Sequence, residues 1–332
     1  MASQLNNRSA AADFLLFPGS LGDFLLFLPT ALALANQGRE VVLAARGSWL
    51  ALIRHPSVQP VSMDHPAIVQ LYSDTPTFTA RARPEWSARI ERVFSWSGFG
   101  NPGFAEALRG LTHAWHVAVL PFRGMEPSEH ATEYYARCVG VRPECLRPSD
   151  IAFDPATALA AETAMREGAR ASLLIHAGSG SPSKNWQGFA EVARRWRDEL
   201  GGNVFEIRGP AEQERLAPLP WTERTIATSD LRQLAAWLRA APLYLGNDSG
   251  VSHLAAALAR RSVVLFGSSD PRTWAPRGPS VRILYRPQPC STCGPSVFCC
   301  HRLSVDDVWA ALLASLSGPP GQLNGASPTG AA

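Results

Sequence analysis

PLYLGNDSGVSHLAAALARRSVVLFG (242–267) reads as a strand, a small-residue loop, a helix and a second strand. Its first apolar run, read as ending at Leu245, has the unbroken character of a strand buried on both faces. Gly246, Ser249 and Gly250 are small enough to let the backbone approach a ligand, VSHLAAALA (251–259) reads as a helix, and SVVLFG (262–267) returns to the sheet. The same alternation extends outward from this unit. Upstream lie SLLIHAG (172–178), a helix from about Asn185 to Leu200 carrying Phe189, Val192 and Trp196 at helical spacing, NVFEIRG (203–209), and the helical DLRQLAAWLRAA (230–241). Downstream, a last helix is expected from Ser304 to Ser315. The first half repeats the scheme less cleanly. FLLF (14–17) is a strand, PGSLGD (18–23) a turn, the apolar segment after it a helix stopped at Gly38, and EVVLAA (40–45) the next strand. HVAVLP (116–121) is a further strand and 129–139 a helix, whereas 62–110 dissolves into Trp-, Pro- and Arg-rich sequence. Buried strands alternating with helices predict an α/β fold with parallel sheets covered on both sides.

A chain of 332 residues exceeds the ~100–200 of one domain. The Pro-rich segment VRPECLRPSDIAFDP (141–155) is read as the linker, giving domains 1–155 and 156–317, two Rossmann-like halves facing a cleft, and a low-complexity, disordered tail, 318–332. Hydrophobic residues make up 46% and charged residues 18%, the latter below the usual share of about 25%, which excludes a disordered chain and a coiled coil. The formal charge is +3 with no basic block, which argues against a nucleic-acid partner. FLLFLPTALALA (24–35) contains Pro29 and is shorter than the ~20 residues that span a bilayer. The N-terminus makes a poor signal peptide, and six cysteines in so long a chain do not form a secreted scaffold. A reduced, cytoplasmic chain is expected.

Four loops fall where open α/β sheets collect ligands, at the carboxyl ends of strands. In GNDSGVSHLAAA (246–257) the free N–H groups at a helix start, around Ser249, Gly250 and Val251, suit a phosphate. His253, one turn on, adds a hydrogen bond or a positive charge. A plainer reading makes Asp248 or Ser249 a helix cap. In HAGSGSPSKNW (176–186), small residues precede a helix beside Lys184, the only lysine against 30 arginines. A chain that uses Arg wherever a generic cation serves keeps Lys where a compact point charge differs from a planar fork. PGSLGDFLL (18–26) matches neither dinucleotide nor P-loop patterns, and its Asp23 reads as a helix cap or as a general base for a hydroxyl. FGSSDPRTWAPRG (266–278) brings Ser268, Asp270 or Trp274 to the same edge.

GSLGD, GSGSPSKNW, GNDSGVSHLAAA and FGSSDPRTWAPRG, in that order and followed by a Cys-containing segment, resemble glycosyltransferase family 9, the lipopolysaccharide heptosyltransferases. The resemblance runs from about 13 to 316. It implies a GT-B fold and an inverting transfer that needs no metal or other cofactor. The donor is then ADP-heptose, held mainly by the second domain, and the acceptor a lipopolysaccharide core or other lipid-linked glycan bound by the first domain, which also carries the base, with peripheral contact at the inner face of the inner membrane. It places the catalytic base on Asp23, the phosphate lysine on Lys184, and the diphosphate loop on Asp248, Ser249, Gly250, Val251 and His253. Ser179 and Gly180 match the mid-chain donor loop. Glu212, in GPAEQE (209–214), matches a ribose-holding carboxylate at looser spacing.

Two other classes share these features, a sugar-nucleotide epimerase of the same fold and a non-catalytic nucleotide-sugar binding module. The first lacks a motif for its acid–base pair, and the second leaves Asp23 beside Lys184 without a purpose. Cys290, Cys293, Cys299, Cys300 and His301 supply enough ligands for zinc, but their spacing is that of neither a finger nor a ribbon. They are read as a reduced cysteine-rich loop, with no metal.

Overall fold

The structure is a computed structural model, and it describes residues 11–79, 83–167, 171–181, 184–215, 217–258, 260–286 and 302–317. The cysteine-rich segment 290–301 and the tail 318–332 lie outside the described residues. The chain divides into two compact units. The first comprises Met1–Ser20 with Phe27–Ser149, and the second comprises Leu21–Leu26 with Asp150–Ala332.

Five strands form the sheet of the first unit: β1 (Ala12–Leu16), β2 (Glu40–Ala45), β3 (Val58–Ser62), β4 (Ile90–Ser95) and β5 (His116–Val119). All pair in parallel, in the order β3-β2-β1-β4-β5. β1 is central and buried throughout, as its apolar run demands. On one face Phe14, Leu16, Val42 and Val93 pack with Leu108 and Leu111 of the helix Pro102–Thr112. On the other, Phe17 stacks on Phe27 at 4.2 Å, with Trp96 and Tyr135 edge-on to both. At the amino end of β1, the buried Asp13 carboxylate accepts two bonds from Arg39, at 2.7 and 3.2 Å, and two from Arg92, at 2.5 and 2.8 Å. Burial alone would raise its pKa, but the two guanidinium groups hold it below the ordinary carboxylate value.

Helix α1 (Leu21–Asn36) follows β1, and the turn after it closes at Gly38, whose φ of +84° is the left-handed geometry glycine adopts freely. The first six residues of α1 group with the second unit. The stretch that reads as irregular, 62–110, contains β4 and the helix Pro102–Thr112, which Asn101 caps by accepting from Gly103 N–H at 3.0 Å.

The second unit has six strands: β6 (Ser172–His176), β7 (Asn203–Arg208), β8 (Arg224–Ala227), β9 (Leu243–Asn247), β10 (Ser262–Phe266) and β11 (Val281–Tyr285). They too are all parallel, in the order β11-β10-β9-β6-β7-β8. Leu173, Ile175, Leu243, Leu245, Val263 and Leu265 meet Phe189, Val192 and Trp196 of the helix Phe189–Leu200, and Val308 and Leu312 of the helix Val305–Ser317. The expected helix at 185 thus starts four residues later. β9 continues two residues past Leu245, to Asn247. The Pro-rich linker ends in a helix, Pro155–Arg166, whose cap Asp154 accepts from Thr157 N–H at 2.7 Å. No helix among the described residues is long and apolar enough to cross a membrane.

Candidate functional site

In the second sheet the strand order reverses between β6 and β9, and His176 at the end of β6 pairs with Gly246 on β9. Such a reversal leaves the loops that follow the two strands running apart, opening a crevice at their carboxyl ends. The loop after β6 carries Ser179, Gly180 and Lys184, and the loop after β9 carries Asp248 and Ser249 before the helix Gly250–Ala257.

Asn247 ties these loops together. Its amide donates to the Ala177 carbonyl at 2.8 Å, and its Oδ1 accepts from Trp186 N–H at 3.1 Å. Lys184 Nζ then reaches the Asp248 carboxylate at 2.6 Å, a pair in which Asp248 is buried and Lys184 partly exposed. Of the two cap candidates, Ser249 takes the role, its Oγ accepting from Ser252 N–H at 3.4 Å. The N–H groups of Gly250 and Val251 precede the helix's own ladder of bonds. Ser179 Oγ donates to the Ser181 carbonyl at 2.6 Å and so holds the bend of its own loop. A side chain added at Gly180 would meet nothing within 4 Å.

Two glycines that read as openings for a ligand are instead filled by protein. A Cβ at Gly246 would lie 2.2 Å from Tyr244 Oη, which bonds Ser252 Oγ at 2.9 Å. One at Gly250 would lie 2.9 Å from Leu21 Cβ. Ser268 is exposed, and Asp270 caps the short helix Pro271–Trp274 by accepting from Arg272 N–H at 2.9 Å. Asp270 therefore serves its own helix, and Trp274, the third residue read from this loop, is half-buried at the end of that helix.

Asp23 is the third residue of α1, inside the first turn and not in the cap position before it. In the same turn Gly22 faces the imidazole of His253: a Cβ there would sit 3.1 Å from its Cδ2. No motif in the glycine pattern of this turn singles out Gly22, which stands between Leu21 and Asp23. His253 itself is buried, with Nε2 3.9 Å from Asp248 Oδ1. Burial pushes its pKa below the ordinary 6.5, against the pull of Asp248 and Asp23 and together with the push of Lys184. Burial thus favours the neutral, hydrogen-bonding ring over the charged one.

This shift gives a stability prediction. An unfolded chain takes up the proton near 6.5, whereas the folded ring resists it until lower pH. The stabilisation is complete above the unfolded value and is lost as pH falls through the folded one. Denaturant midpoints measured at about pH 7.5 and about pH 5.5 should therefore differ more in the wild type than in His253→Gln. Equal pH dependence in the two proteins would assign the acid sensitivity to other groups.

His176 is a second residue to which the sequence reading gave no role. It is buried, with Nδ1 3.3 Å from Ser249 Oγ and Nε2 3.8 Å from Glu212 Oε1. The His176 ring beside it holds the Glu212 carboxyl below the ordinary value, although burial acts the other way. Glu212 presses against Gly178, where a Cβ would lie 2.3 Å from its Cγ. His176 thus joins Glu212, on the short helix Pro210–Arg215, to the loop after β9. A histidine closing the buried run SLLIH was the available signal. Among the described residues no group of three or more His, Cys, Asp or Glu is placed to hold a metal ion.

Residues 142–296 match the model of glycosyltransferase family 9 (heptosyltransferase). Among solved structures, the chain is similar to a family 9 glycosyl transferase from Veillonella parvula at 18% identity and a TM-score of 0.71, covering 92% of this chain and 97% of that one. It is similar to E. coli ADP-heptose lps heptosyltransferase II at 17% identity and 0.66, covering 92% and 98%. The likeness to E. coli heptosyltransferase WaaC with ADP is 18% and 0.61, covering 92% and 99%. At these identities the structures establish the fold, two parallel-sheet units of the GT-B kind. No curated protein sequence matches significantly.

Proposed function

We propose that this chain, a glycosyltransferase whose residues 142–296 carry the family 9 (heptosyltransferase) domain, transfers heptose from ADP-heptose with inversion. The acceptor is a hydroxyl of a lipopolysaccharide core or other lipid-linked glycan. One observation carries the reading most. Lys184, Asp248, the N–H groups of Gly250 and Val251, and His253 converge at the strand reversal of the second sheet, at the head of a helix. That is where an anionic diphosphate is best held. The WaaC structure similar to this chain contains ADP, which supports the same nucleotide here.

In this mechanism the Asp23 carboxylate takes the proton of the acceptor hydroxyl. The oxygen forms its bond to the anomeric carbon as the bond from that carbon to the diphosphate breaks, and the electron pair leaves on ADP. Lys184 meets the developing charge as a cation, Gly250 and Val251 as amides, and neutral His253 as a ring N–H donor. Asp248 and Ser249 hold these groups in place. Glu212 accepts from ribose hydroxyls, with His176 behind it keeping the carboxylate ionised. Ser179 shapes its loop, and Gly180, whose bare Cα no neighbour requires, lets the nucleotide approach. The protein works at the cytoplasmic side of a membrane without crossing it.

A thermal-shift series with ADP, GDP, UDP and their sugars tests the donor. A ligand at a hundredfold excess over Kd should stabilise the folded chain by about 2.7 kcal/mol, and ADP or ADP-heptose is expected to do so. Stabilisation by UDP and not ADP would move the donor assignment. Transfer is expected to survive EDTA, and loss of turnover restored by Mg²⁺ would overturn the metal-free step.

A further inference from the structure

A cavity of about 440 Å³ opens in the first unit, within the ~300–1,000 Å³ range of small-molecule sites. Tyr72, Asp74, Pro76, Gly98, Asn101 and Phe104 line it. It stands at the carboxyl edge of the sheet, since Gly98 lies three residues beyond the end of β4. β4 is the neighbour of β1, and the strand order of this sheet reverses between the two. That is the place where an open parallel sheet presents a ligand.

Its walls are set by the fold. The Tyr72 ring is half exposed, its hydroxyl is fixed by donation to Ser97 Oγ at 2.9 Å, and the ring of buried Phe104 lies 5.3 Å away. Gly98 has a φ of +79°, and a Cβ there would come within 2.2 Å of the Phe104 ring, so main chain forms that wall. The polar groups are equally defined. Asp74 offers a carboxylate that only accepts. Asn101 spends its Oδ1 on the helix cap, which leaves its NH2 as donor.

Charge narrows the ligand. In a chain with 30 arginines, Asp74 is the one acidic or basic side chain among the described lining residues. Among the described residues of the lining, a phosphate- or carboxylate-bearing ligand meets one acidic group and no basic one. A neutral pyranose fits instead, with its C–H face on the Tyr72 ring and its hydroxyls donating to Asp74 and accepting from Asn101. We infer that this cavity is a subsite for an uncharged sugar ring of the acceptor, an assignment that rests on the transferase reading above.

Saturation-transfer NMR on the full chain tests it. The probes are methyl β-D-glucopyranoside, methyl β-D-galactopyranoside and methyl α-D-mannopyranoside, with glucose 6-phosphate and glucuronic acid as anionic counterparts. At least one neutral glycoside should bind and the anionic sugars should not. Tyr72→Ala and Asp74→Asn should each weaken that binding by about tenfold or more, at unchanged melting temperature and ADP affinity. Absence of neutral binding, anionic binding as strong, or an affinity that neither variant lowers would overturn the subsite. Glycoside binding in a protein that binds no nucleotide would sink the transferase reading and leave the sugar site standing.

Discussion

Asp23→Asn is expected to lower transfer by roughly 10²–10⁴-fold, the usual contribution of a positioned acid or base, with ADP affinity nearly intact. The substitution is isosteric and removes the ability to take a proton together with the negative charge that acts on His253. Asp23 occupies the third position of α1, from which a side chain can still bond the backbone ahead of the helix, so the variant must separate that structural role from proton transfer. An Asn in the first turn keeps hydrogen-bonding capacity, and the neighbouring Gly22–His253 approach involves no atom that changes. Transfer rate, melting temperature and nucleotide affinity should therefore separate cleanly in one variant. Near-normal transfer would remove Asp23 from the mechanism and leave the reaction without an identified base.

Lys184→Ala should cut turnover by about 10²–10³-fold, the effect of deleting one preorganised donor at a developing anion. The pair with Asp248, at 2.6 Å, makes a purely structural alternative concrete: the lysine would merely pin the loop after β6 to the loop after β9. Asp248→Asn tells the two apart, because it loosens the pin and spares the cation. If pinning is the whole role, both variants should lose melting temperature and activity together. If Lys184 meets phosphate, its removal should be much the more damaging to ADP-sugar turnover. Lys184→Arg adds a test of shape. A guanidinium engages the carboxylate through two parallel bonds and is held there, whereas an ammonium can share its three donors with a second anion. A loss on the order of tenfold is expected, and an unchanged kcat/KM would show that any cation suffices.

The strands that the sequence revealed are chiefly those with neighbours on both sides. β1, β2, β6, β7, β9 and β10 are apolar runs because both their faces are covered. Those that escaped notice, β3, β8 and β11 as well as the interior β4, have a different signature. β3 is VQPVS and tolerates Pro60 because it lies at an edge, and β8 is RTIA with a single buried residue. β4 places Glu91 and Arg92 before its apolar half, since Arg92 is committed to Asp13. The helix Pro102–Thr112 carried an Asn-Pro start that was legible and was passed over within a glycine-rich stretch.

The loops of the candidate site stood out through their small residues and the solitary lysine. What could not be read was who pairs with whom. The Lys184–Asp248 bond spans 64 positions, and the His176–Ser249 contact spans 73. Only the β6–β9 pairing, itself a crossover, brings such residues together. The neutral state of His253 follows from burial that sequence position alone does not disclose.

The Asp13 cluster bears on how the chain is made. Synthesis delivers β1 first and β2 soon after, and Arg39 reaches the carboxylate while most of the protein is still untranslated. Arg92 arrives 79 residues after Asp13, and with it the strand that covers the other side of β1. Until then a nascent chain holding β1, β2 and β3 presents β1 as a raw edge, with Asp13 still lacking the two bonds from Arg92. Such an edge is the part of a growing chain most prone to pair with another copy. The emergence of β4 from the ribosome is therefore the moment at which β1 stops being an edge, and β4 takes that place until β5 follows.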